Sequence, residues 1–530
     1  MKRIAFPFFI FLFSTTAPAA ESVQGNTTPP FRFAEATIEQ LQTQMQTGAL
    51  TSHALTAAYL QRITEIDRAG PTLRSVIEIN PEALAMADAL DKERAAGKVR
   101  GPLHGIPVLI KDNIATADRM ETTAGSLALV GARPKHDATI ITRLRGAGAV
   151  ILGKTNLSEW ANYRGDRSIS GWSARGGQTR NPYALDRNPS GSSSGSAVAV
   201  AANLCVVAVG TETNGSIISP ATHCGVVGIK PTVGLLSRSG IIPISVTQDT
   251  AGPFARTVRD AAVLLGALAG PDPADAATRA RPSDLRTDFP AALKRDALRG
   301  ARIGVLRKAP WVSSRVELIW NQVNAALHEA GAVVIDLGNP PDITELNSAE
   351  RIILSYEFKE GINAWFASLG ADAPVKSLAD LIGFNETHHT EELPFFGQEI
   401  LVAAQARGPL TNQDYLDALA LALRKSRDQG IDAMITKDQL DAIVTLSGGP
   451  AWLIDAVNGD QFTGGSSALA AIAGYPSVTV PAGADFGLPI GVSFIGRAWT
   501  DAPLLALAED FETHTHARRE PSFAQSVNPK

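Results

Sequence analysis

Short apolar runs, bounded by glycine and proline and separated by helix-like segments, recur along most of this 530-residue chain. Runs of this length are typical of buried strands. Strands that alternate with helices pack as a sheet covered by helices on both faces. The sequence therefore predicts an α/β fold, with strands at residues 106–110, 149–152, 204–209, 303–306, 442–445 and 477–480.

We expect one compact domain over residues 30–525, because no serine- and glycine-rich linker and no repeat of fixed period divides the chain. Hydrophobic residues make up 45% of the sequence, which is enough for a large buried core. Residues from about 340 to 430 have a mostly helical pattern. This pattern predicts a helical insertion on the main body.

The predicted insertion contains two residue types that bind metals. His388 and His389 lie beside Glu391 and Glu392. Adjacent residues on a helix do not face one point, and no third ligand has a suitable spacing. The sequence therefore favours a protein without a bound metal.

The first twenty residues have the organisation of an export signal. Lys2 and Arg3 precede the apolar residues 4–13, and the tripeptide 17–19 is an Ala-Pro-Ala cleavage site. The apolar run is too short to span a bilayer. We expect residues 1–20 to be a signal peptide and the mature protein to be periplasmic or secreted. A retained N-terminal anchor is the alternative.

The charge pattern gives no sign of a polyanion partner. The formal net charge is -5, and charged residues form no blocks. We therefore expect no nucleic-acid partner, and no membrane partner once the signal peptide is removed. The sequence contains two cysteines, Cys205 and Cys224. Cys205 lies in an apolar run typical of a buried free thiol, so we expect no disulfide.

Residues 148–155 match the phosphate-loop pattern G-x4-G-K-[ST] letter for letter. Phosphate binding requires a flexible loop between the two glycines and a strand before the first one. The residues between Gly148 and Gly153 are Ala-Val-Ile-Leu, which favour a strand. We therefore reject nucleotide binding here, and we interpret Asn156 with Glu159 as a capping pair for the next helix.

Residues 191–195 match G-x-S-x-G, the nucleophile elbow of α/β-hydrolases, with Ser193 at the centre. An elbow requires a hydrophobic strand before it and a histidine base downstream. A polar, proline-containing loop at 180–190 precedes this segment instead. The downstream histidines lie in no triad motif: His223, His328, His388, His389, His514 and His516. The sequence therefore does not favour an elbow.

A third group of residues combines a base, hydroxyls and a turn of backbone donors. Lys111 ends an apolar run, so a strand can deliver its amine into the protein, where burial disfavours the ammonium form. The N–H groups of the small-residue turn 210–216 can converge on an oxyanion, and Ser216 ends this turn. A serine nucleophile needs a base. With Ser192 carrying the proton, these residues favour a serine-serine-lysine relay.

These residues lie in segments that resemble the signature of the amidase signature family. The matching segments are 104–112, 152–159, 191–196, 211–217, 224–232, 474–481 and 487–491. The resemblance covers about residues 32–520. It implies the fold of that family, a large mixed twisted β-sheet covered on both faces by α-helices. It also implies hydrolysis of a carboxamide without metal or cofactor.

The resemblance implies a role for each residue of the relay. Ser216 matches the acylated nucleophile, Ser192 the bridging serine held by a cis peptide bond, and Lys111 the base. Ser193 matches a neighbouring serine that supports the relay by hydrogen bonding. The oxyanion hole is implied at the backbone amides of Thr213, Asn214, Gly215 and Ser216.

Within the family, segments 160–164, 171–172 and 176–183 most resemble bacterial peptide amidases, which remove the amide from peptide C-termini. The resemblance therefore implies an amidated peptide as the substrate and release of ammonia. Two alternatives stay open. The same relay can serve small aryl or aliphatic amides or esters, or the chain can be an exported binding protein that has lost the chemistry.

The sequence departs from the family pattern at two places. Asn214 stands where an aspartate is expected, which changes the charge beside the oxyanion turn. Leu446 and Ser447 replace a Pro-Thr pair in a loop that borders the substrate cleft in the family. Substrate preference is therefore left open.

Several residues near the predicted site have a structural interpretation beside the functional one. Glu212 would oppose a developing oxyanion unless its carboxylate turns away, and Asp249 is typical of a turn. Asp112 and Asn113 follow the lysine and can orient it or start a loop. Three aromatic residues can line the cleft or belong to the core: Trp160, Tyr163 and Trp172.

Overall fold

An eleven-stranded mixed β-sheet runs through the centre of the protein. The computed structural model describes residues 31–307, 312–370 and 373–527. The predicted signal peptide, residues 1–20, lies outside this part of the chain. Residues 31–34 belong to a short N-terminal unit, and every strand and helix given below belongs to the unit Glu35–Lys530.

Of the thirteen strands in the described part of the chain, eleven form the central sheet, in the order β1-β3-β2-β6-β8-β7-β12-β13-β11-β9-β10, and β4 pairs with β5 in a separate hairpin. The strands of the described residues are β1 Val76–Ile79, β2 Pro107–Lys111, β3 Val150–Thr155, β4 Trp172–Ser173, β5 Gly177–Gln178, β6 Val207–Glu212, β7 Val227–Lys230, β8 Thr250–Ala255, β9 Arg302–Val305, β10 Val333–Asp336, β11 Ala442–Leu446, β12 Ser477–Asp485 and β13 Leu488–Ile495.

Helices surround the sheet. In the described residues they are α1 Ile38–Gln46, α2 Ser52–Arg62, α3 Ala83–Ala95, α4 Thr139–Gly146, α5 Ser194–Ala201, α6 Ile218–His223, α7 Val258–Leu268, α8 Phe289–Ala292, α9 Ser314–Glu329, α10 Thr344–Leu369, α11 Leu378–Thr387, α12 His389–Glu392, α13 Glu399–Gln405, α14 Gln413–Leu423, α15 Asp432–Asp438, α16 Ala468–Ala473 and α17 Asp501–Thr515. Short 3-10 segments are Leu127–Leu129, Glu159–Asn162 and Ala276–Ala280, and π-helical segments are Ile63–Arg68 and Arg424–Ile431.

The predicted α/β class is confirmed, and each of the six predicted strands overlaps a strand of the sheet. The sheet is mixed: β2 runs parallel to β3 and β6, whereas β6 and β8 are antiparallel. Sequence analysis missed β8, whose residues are Thr-Ala-Gly-Pro-Phe-Ala. Glycine and proline are poor strand formers, so pairing with its neighbours rather than local preference makes this segment a strand.

Residues 150–155 form the buried strand β3, so the apparent phosphate-loop motif lies in the sheet rather than in a loop. The predicted capping pair is wrong. The Asn156 side chain bonds to Gly177, Thr179 and Ser173, and Glu159 begins a 3-10 turn without a side-chain cap. Close packing of the 170–180 segment supplies these partners, which local sequence does not show.

The predicted helical insertion contains α10 to α14, with α10 alone extending over 26 residues. One part of α10 packs on α14, where Tyr356 lies against Tyr415. Another part packs on the main body, where Phe366 contacts Trp160. The insertion therefore shares its core with the sheet domain.

A buried ion cluster also joins the insertion to the main body. The Arg164 guanidinium donates to Glu159 and lies 3.8 Å from a Glu392 carboxylate oxygen, and none of these three side chains is exposed. It also stacks 3.9 Å from the centroid of the Phe396 ring. Burial raises the pKa of Glu159 to about 8. Glu392, from the His/Glu motif, therefore has a structural partner.

Both cysteines, Cys205 and Cys224, are buried free thiols. Within the described ranges, no helix combines the length and apolar character that a membrane span requires.

Candidate active site

Strand β2 ends at Lys111, in the sheet between β3 and β6, and the amine is completely buried. Nζ donates to Ser192 Oγ at 2.8 Å and to Ser193 Oγ at 3.0 Å. On β6 it contacts Thr211 Oγ1 at 2.8 Å and the Thr211 carbonyl oxygen at 3.3 Å. The structure thus brings the predicted base into contact with both predicted serines.

The surroundings of Lys111 favour a neutral amine near pH 7. Burial lowers its pKa to about 7, and the negative charges of Asp249 and Glu212 offset only part of this effect. The oxygen atoms that bond to Nζ are hydroxyls and a carbonyl, not carboxylates. A neutral amine has a lone pair, so it can accept the Ser192 proton.

Ser192 lies in the serine-rich loop before α5, and the peptide bond between Gly191 and Ser192 is cis. This matches the expectation from the family resemblance. The loop is tightly packed: a Cβ atom on Gly191 would lie 2.2 Å from Ser158 Oγ. Ser158 N–H in turn donates to the Ser192 carbonyl at 3.1 Å. Glycine is therefore required beside the bridging serine.

Ser193 connects the lysine to strand β6. Its Oγ donates to the Thr211 carbonyl at 2.9 Å and accepts from the Thr211 N–H at 3.2 Å. The Thr211 hydroxyl also accepts from Asn113 Nδ2 at 3.0 Å. Asn113 therefore acts on the lysine through Thr211, a residue that sequence analysis did not single out.

The turn after β6 has the properties of an oxyanion nest. Within the described chain, the backbone N–H groups of residues 213–216 donate no hydrogen bond, and Gly215 has a φ of +84°. The next two N–H groups, of Ile217 and Ile218, donate to Glu212 Oε2 at 2.7 and 2.9 Å. The Glu212 carboxylate therefore faces the start of α6, and four successive donors remain for a ligand.

Ser216 lies at the wall of a cavity of about 760 Å³, and 9% of the residue is exposed. Its carbonyl accepts from the Ser193 N–H at 3.2 Å, which ties the turn to the serine loop. Its hydroxyl makes no hydrogen bond to another described residue, and in particular none to Ser192. The first link of the predicted relay, from lysine to serine, is thus present as a hydrogen bond, and the second is not.

The same cavity reaches beyond the nest to a set of larger side chains. Tyr163 lines it, whereas Trp160 and Trp172 belong to buried hydrophobic clusters. Ser447, which belongs to the Leu446–Ser447 departure from the family pattern, also lines the cavity. Its hydroxyl lies 2.7 Å from the Thr479 hydroxyl. Other lining residues include Asn347, Arg351, Leu354, Arg407, Trp452 and Phe462. The cavity can therefore hold a substrate larger than a simple amide.

Two carboxylates near the nest have structural partners. Asp249 accepts hydrogen bonds from the Thr213 hydroxyl and from the N–H groups of Ile244 and Ser245 at 2.7 and 2.8 Å. Burial raises the pKa of Asp249 to about 6. Glu350, on α10, bonds to Asn214 at 2.9 Å. Because Glu350 lies 136 positions from Asn214 and belongs to no motif, a single sequence gives no signal for this contact.

Comparisons with known proteins point to one family. A family model described as Amidase matches residues 54–505. The solved structure of native peptide amidase from Stenotrophomonas maltophilia is 53% identical, with a TM-score of 0.89, covering 93% of this chain and 100% of that one. A peptide amidase in complex with the competitive inhibitor chymostatin has a TM-score of 0.90, with the same identity and coverage. A probable amidase from Arabidopsis thaliana is 42% identical over 93% of this chain and 92% of that protein.

Proposed function

Because the chain belongs to the amidase signature family and is a hydrolase of amide bonds, we propose that it deamidates C-terminally amidated peptides through an acyl-enzyme on Ser216. The family resemblance found in the sequence is confirmed by a match over residues 54–505. The observation that carries the proposal is the 2.8 Å contact between Lys111 Nζ and Ser192 Oγ, beside four backbone donors without a partner among the described residues.

Acylation begins with a proton transfer along the serines. Neutral Lys111 takes the proton of Ser192, and Ser192 takes that of Ser216 as the Ser216 oxygen attacks the carboxamide carbon. This step requires the Ser216 hydroxyl to come within hydrogen-bond distance of Ser192 Oγ. The oxyanion that forms accepts hydrogen bonds from the N–H groups of residues 213–216, which donate to no other described residue.

Departure of ammonia completes acylation, and the same groups then carry out deacylation. Ser192 returns its proton to the departing nitrogen and is reprotonated by the Lys111 ammonium, so ammonia leaves. Water then attacks the ester carbon and loses its proton through Ser192 to Lys111. Collapse returns a proton to Ser216 and releases the peptide carboxylic acid. The chain's own residues supply every proton transfer.

A peptide substrate is favoured by both the cavity and the relatives. The cavity extends from Ser216 to Tyr163, Trp452 and Phe462, which can contact side chains of a peptide. The relatives solved as peptide amidases are 53% identical to this chain. Small aryl or aliphatic amides and esters are the competing substrates. Since the chain is an amidase, a non-catalytic binding protein is not supported.

We further propose export, on the basis of residues 1–20 alone. Expression in a Gram-negative host, fractionation, and mass measurement of the purified chain test this directly. Loss of the first twenty residues in periplasmic or secreted protein supports it. A full-length chain that stays in the membrane fraction supports the retained anchor instead.

The substrate is tested by ammonia release from an amidated dipeptide, benzamide, a small aliphatic amide and a matched peptide ester. The amidated dipeptide is expected to have the highest kcat/KM. The S216A variant should lose all detectable ammonia release while keeping the melting temperature of the parent. Retained turnover by S216A would contradict the acyl-enzyme, and a preference for benzamide would contradict the peptide substrate.

A further inference from the structure

The side chain of Glu350 enters the active site from the helical insertion. It is 7% exposed and lies on α10, outside the signature segments. Glu350 Oε1 and Oε2 accept hydrogen bonds from Asn214 Nδ2 at 2.9 and 3.0 Å. Gln248 Nε2 donates to Oε1 at 2.8 Å. In the described part of the chain, this carboxylate accepts hydrogen bonds from side-chain amide N–H groups only.

The far end of the Asn214 side chain is also held. Ser467 Oγ donates to Asn214 Oδ1 at 2.7 Å. With Glu350 accepting at one end and Ser467 donating at the other, both contacts assign the same orientation to the amide. A side chain fixed at both ends restricts the backbone of its own residue, and residue 214 supplies one of the N–H groups of the nest.

Gln248 holds the same part of the turn through the backbone. Its Nε2 atom donates to the Thr213 carbonyl at 3.3 Å as well as to Glu350. The Thr213 carbonyl and the Asn214 N–H belong to one planar peptide unit. A partner that fixes the carbonyl therefore fixes the direction of the N–H. Glu350 therefore restrains this peptide unit by two routes, one through the Asn214 side chain and one through Gln248.

We propose that Glu350 is a positioning residue, and that it aims the Asn214 N–H at the oxyanion through its hydrogen bonds with the Asn214 side-chain amide. This inference rests on the proposed acyl-enzyme mechanism and deepens it. It gives the helical insertion a part in the reaction, because the insertion anchors the nest. On the same helix, Asn347, Arg351 and Leu354 line the substrate cavity.

The pair constrains which residue can occupy position 214. An aspartate there would place two carboxylates about 3 Å apart, and their repulsion would drive one of them to bind a proton or move away. Exchanging the two groups removes this conflict. An aspartate at 214 and a glutamine at 350 restore one amide and one carboxylate, and glutamine can still accept from Gln248.

The test is a double-mutant cycle measured on an amidated dipeptide, with kcat and KM determined separately. The N214D and E350A variants should each lose about 10- to 100-fold in kcat with KM within about threefold, because an oxyanion donor acts in the transition state. E350Q should lose less than E350A. The double variant N214D/E350Q should recover most of the loss of N214D.

The matched control is E345Q, on the first turn of the same helix. Glu345 pairs with Lys425 at 2.6 Å, its side chain is 69% exposed, and it is absent from the cavity lining. E345Q should keep the parental kcat. The melting temperature of each variant shows whether a loss of kcat comes from unfolding. If N214D alone is unstable, a folded N214D/E350Q variant can still be compared with E350A and the parent.

Two outcomes would overturn the inference: an E350A variant with parental kcat, or a double variant no more active than N214D. Neither outcome affects the proposed function if S216A is inactive and the parent releases ammonia. Conversely, an active S216A variant removes the mechanism itself. The two proposals can therefore fail separately.

Discussion

Lys111 Nζ and Ser192 Oγ lie 2.8 Å apart, although 81 positions separate the two residues in the chain. The lysine comes from the end of a central strand and the serine from a loop with a cis peptide bond. The hydrogen-bond acceptors around the amine are all uncharged oxygen atoms. Since no carboxylate bonds to it directly, the buried amine can lose its proton near neutral pH.

The first prediction concerns removal of the base. The K111M variant keeps most of the side-chain volume but cannot accept a proton, so kcat should fall by at least about 1000-fold, within the range for general-base catalysis. Ammonia release from an amidated dipeptide measures this, with near-ultraviolet circular dichroism as the check on folding. A folded K111M variant within tenfold of the parent would contradict the role of Lys111.

The second prediction is the pH profile of the parent enzyme. Only neutral Lys111 acts as the base, and burial lowers its pKa to about 7. The value of kcat/KM should therefore rise with pH below about 7 and reach a plateau above it. Initial rates at low substrate concentration from pH 5 to 9 test this. A profile that falls across the same range would require the protonated amine instead.

The third prediction is a stability difference with a defined sign. The folded pKa of Lys111 is about 7, lowered from 10.5, so between these values the unfolded chain binds more protons. The contribution of Lys111 to the free energy of unfolding therefore increases as pH rises from about 7 to about 10. The free energy of unfolding of K111M should therefore exceed that of the parent by the largest amount at or below pH 7. Urea unfolding at several pH values measures the difference, which should shrink toward pH 10.

The fourth prediction separates the two serines that contact the lysine. Ser192 carries the proton to and from Ser216, so S192A should lose about 1000-fold or more in kcat. Ser193 hydrogen-bonds to Lys111 and to the Thr211 carbonyl without carrying the proton, so S193A should lose about 10-fold in kcat. Parallel assays of both variants test this order. Equal losses would show that Ser193 also carries the proton.

The fifth prediction concerns the ion cluster that joins the insertion to the main body. Arg164→Ala leaves the buried Glu159 and Glu392 carboxyls without their cation, which should cost about 3–5 kcal/mol in the free energy of unfolding. Arg307→Ala is the control, since Arg307 pairs with Asp336 at the surface and should change stability little. Urea unfolding measures both. Equal effects would argue against a structural role for the cluster.

Predictions from the sequence were correct where a short run of neighbouring residues is enough to set the local structure. Apolar runs predicted the strands around Lys111 and before the oxyanion turn, because a buried strand must be apolar over its whole length. Context also excluded the phosphate loop at 148–155, since β-branched residues between its glycines favour a strand. The predicted capping pair at Asn156 and Glu159 was wrong, because both side chains are used by distant segments.

By itself, the sequence determined the α/β class, the membership of the amidase signature family and the residues that can form a relay. Only the tertiary structure decided which of them meet, that Glu212 turns away from the nest, and that Glu350 reaches Asn214 from a helix 136 positions away. The physical reason is that strand and turn preferences act over a few neighbouring residues. Contacts between distant side chains depend on how the sheet and the insertion pack, which no local pattern encodes.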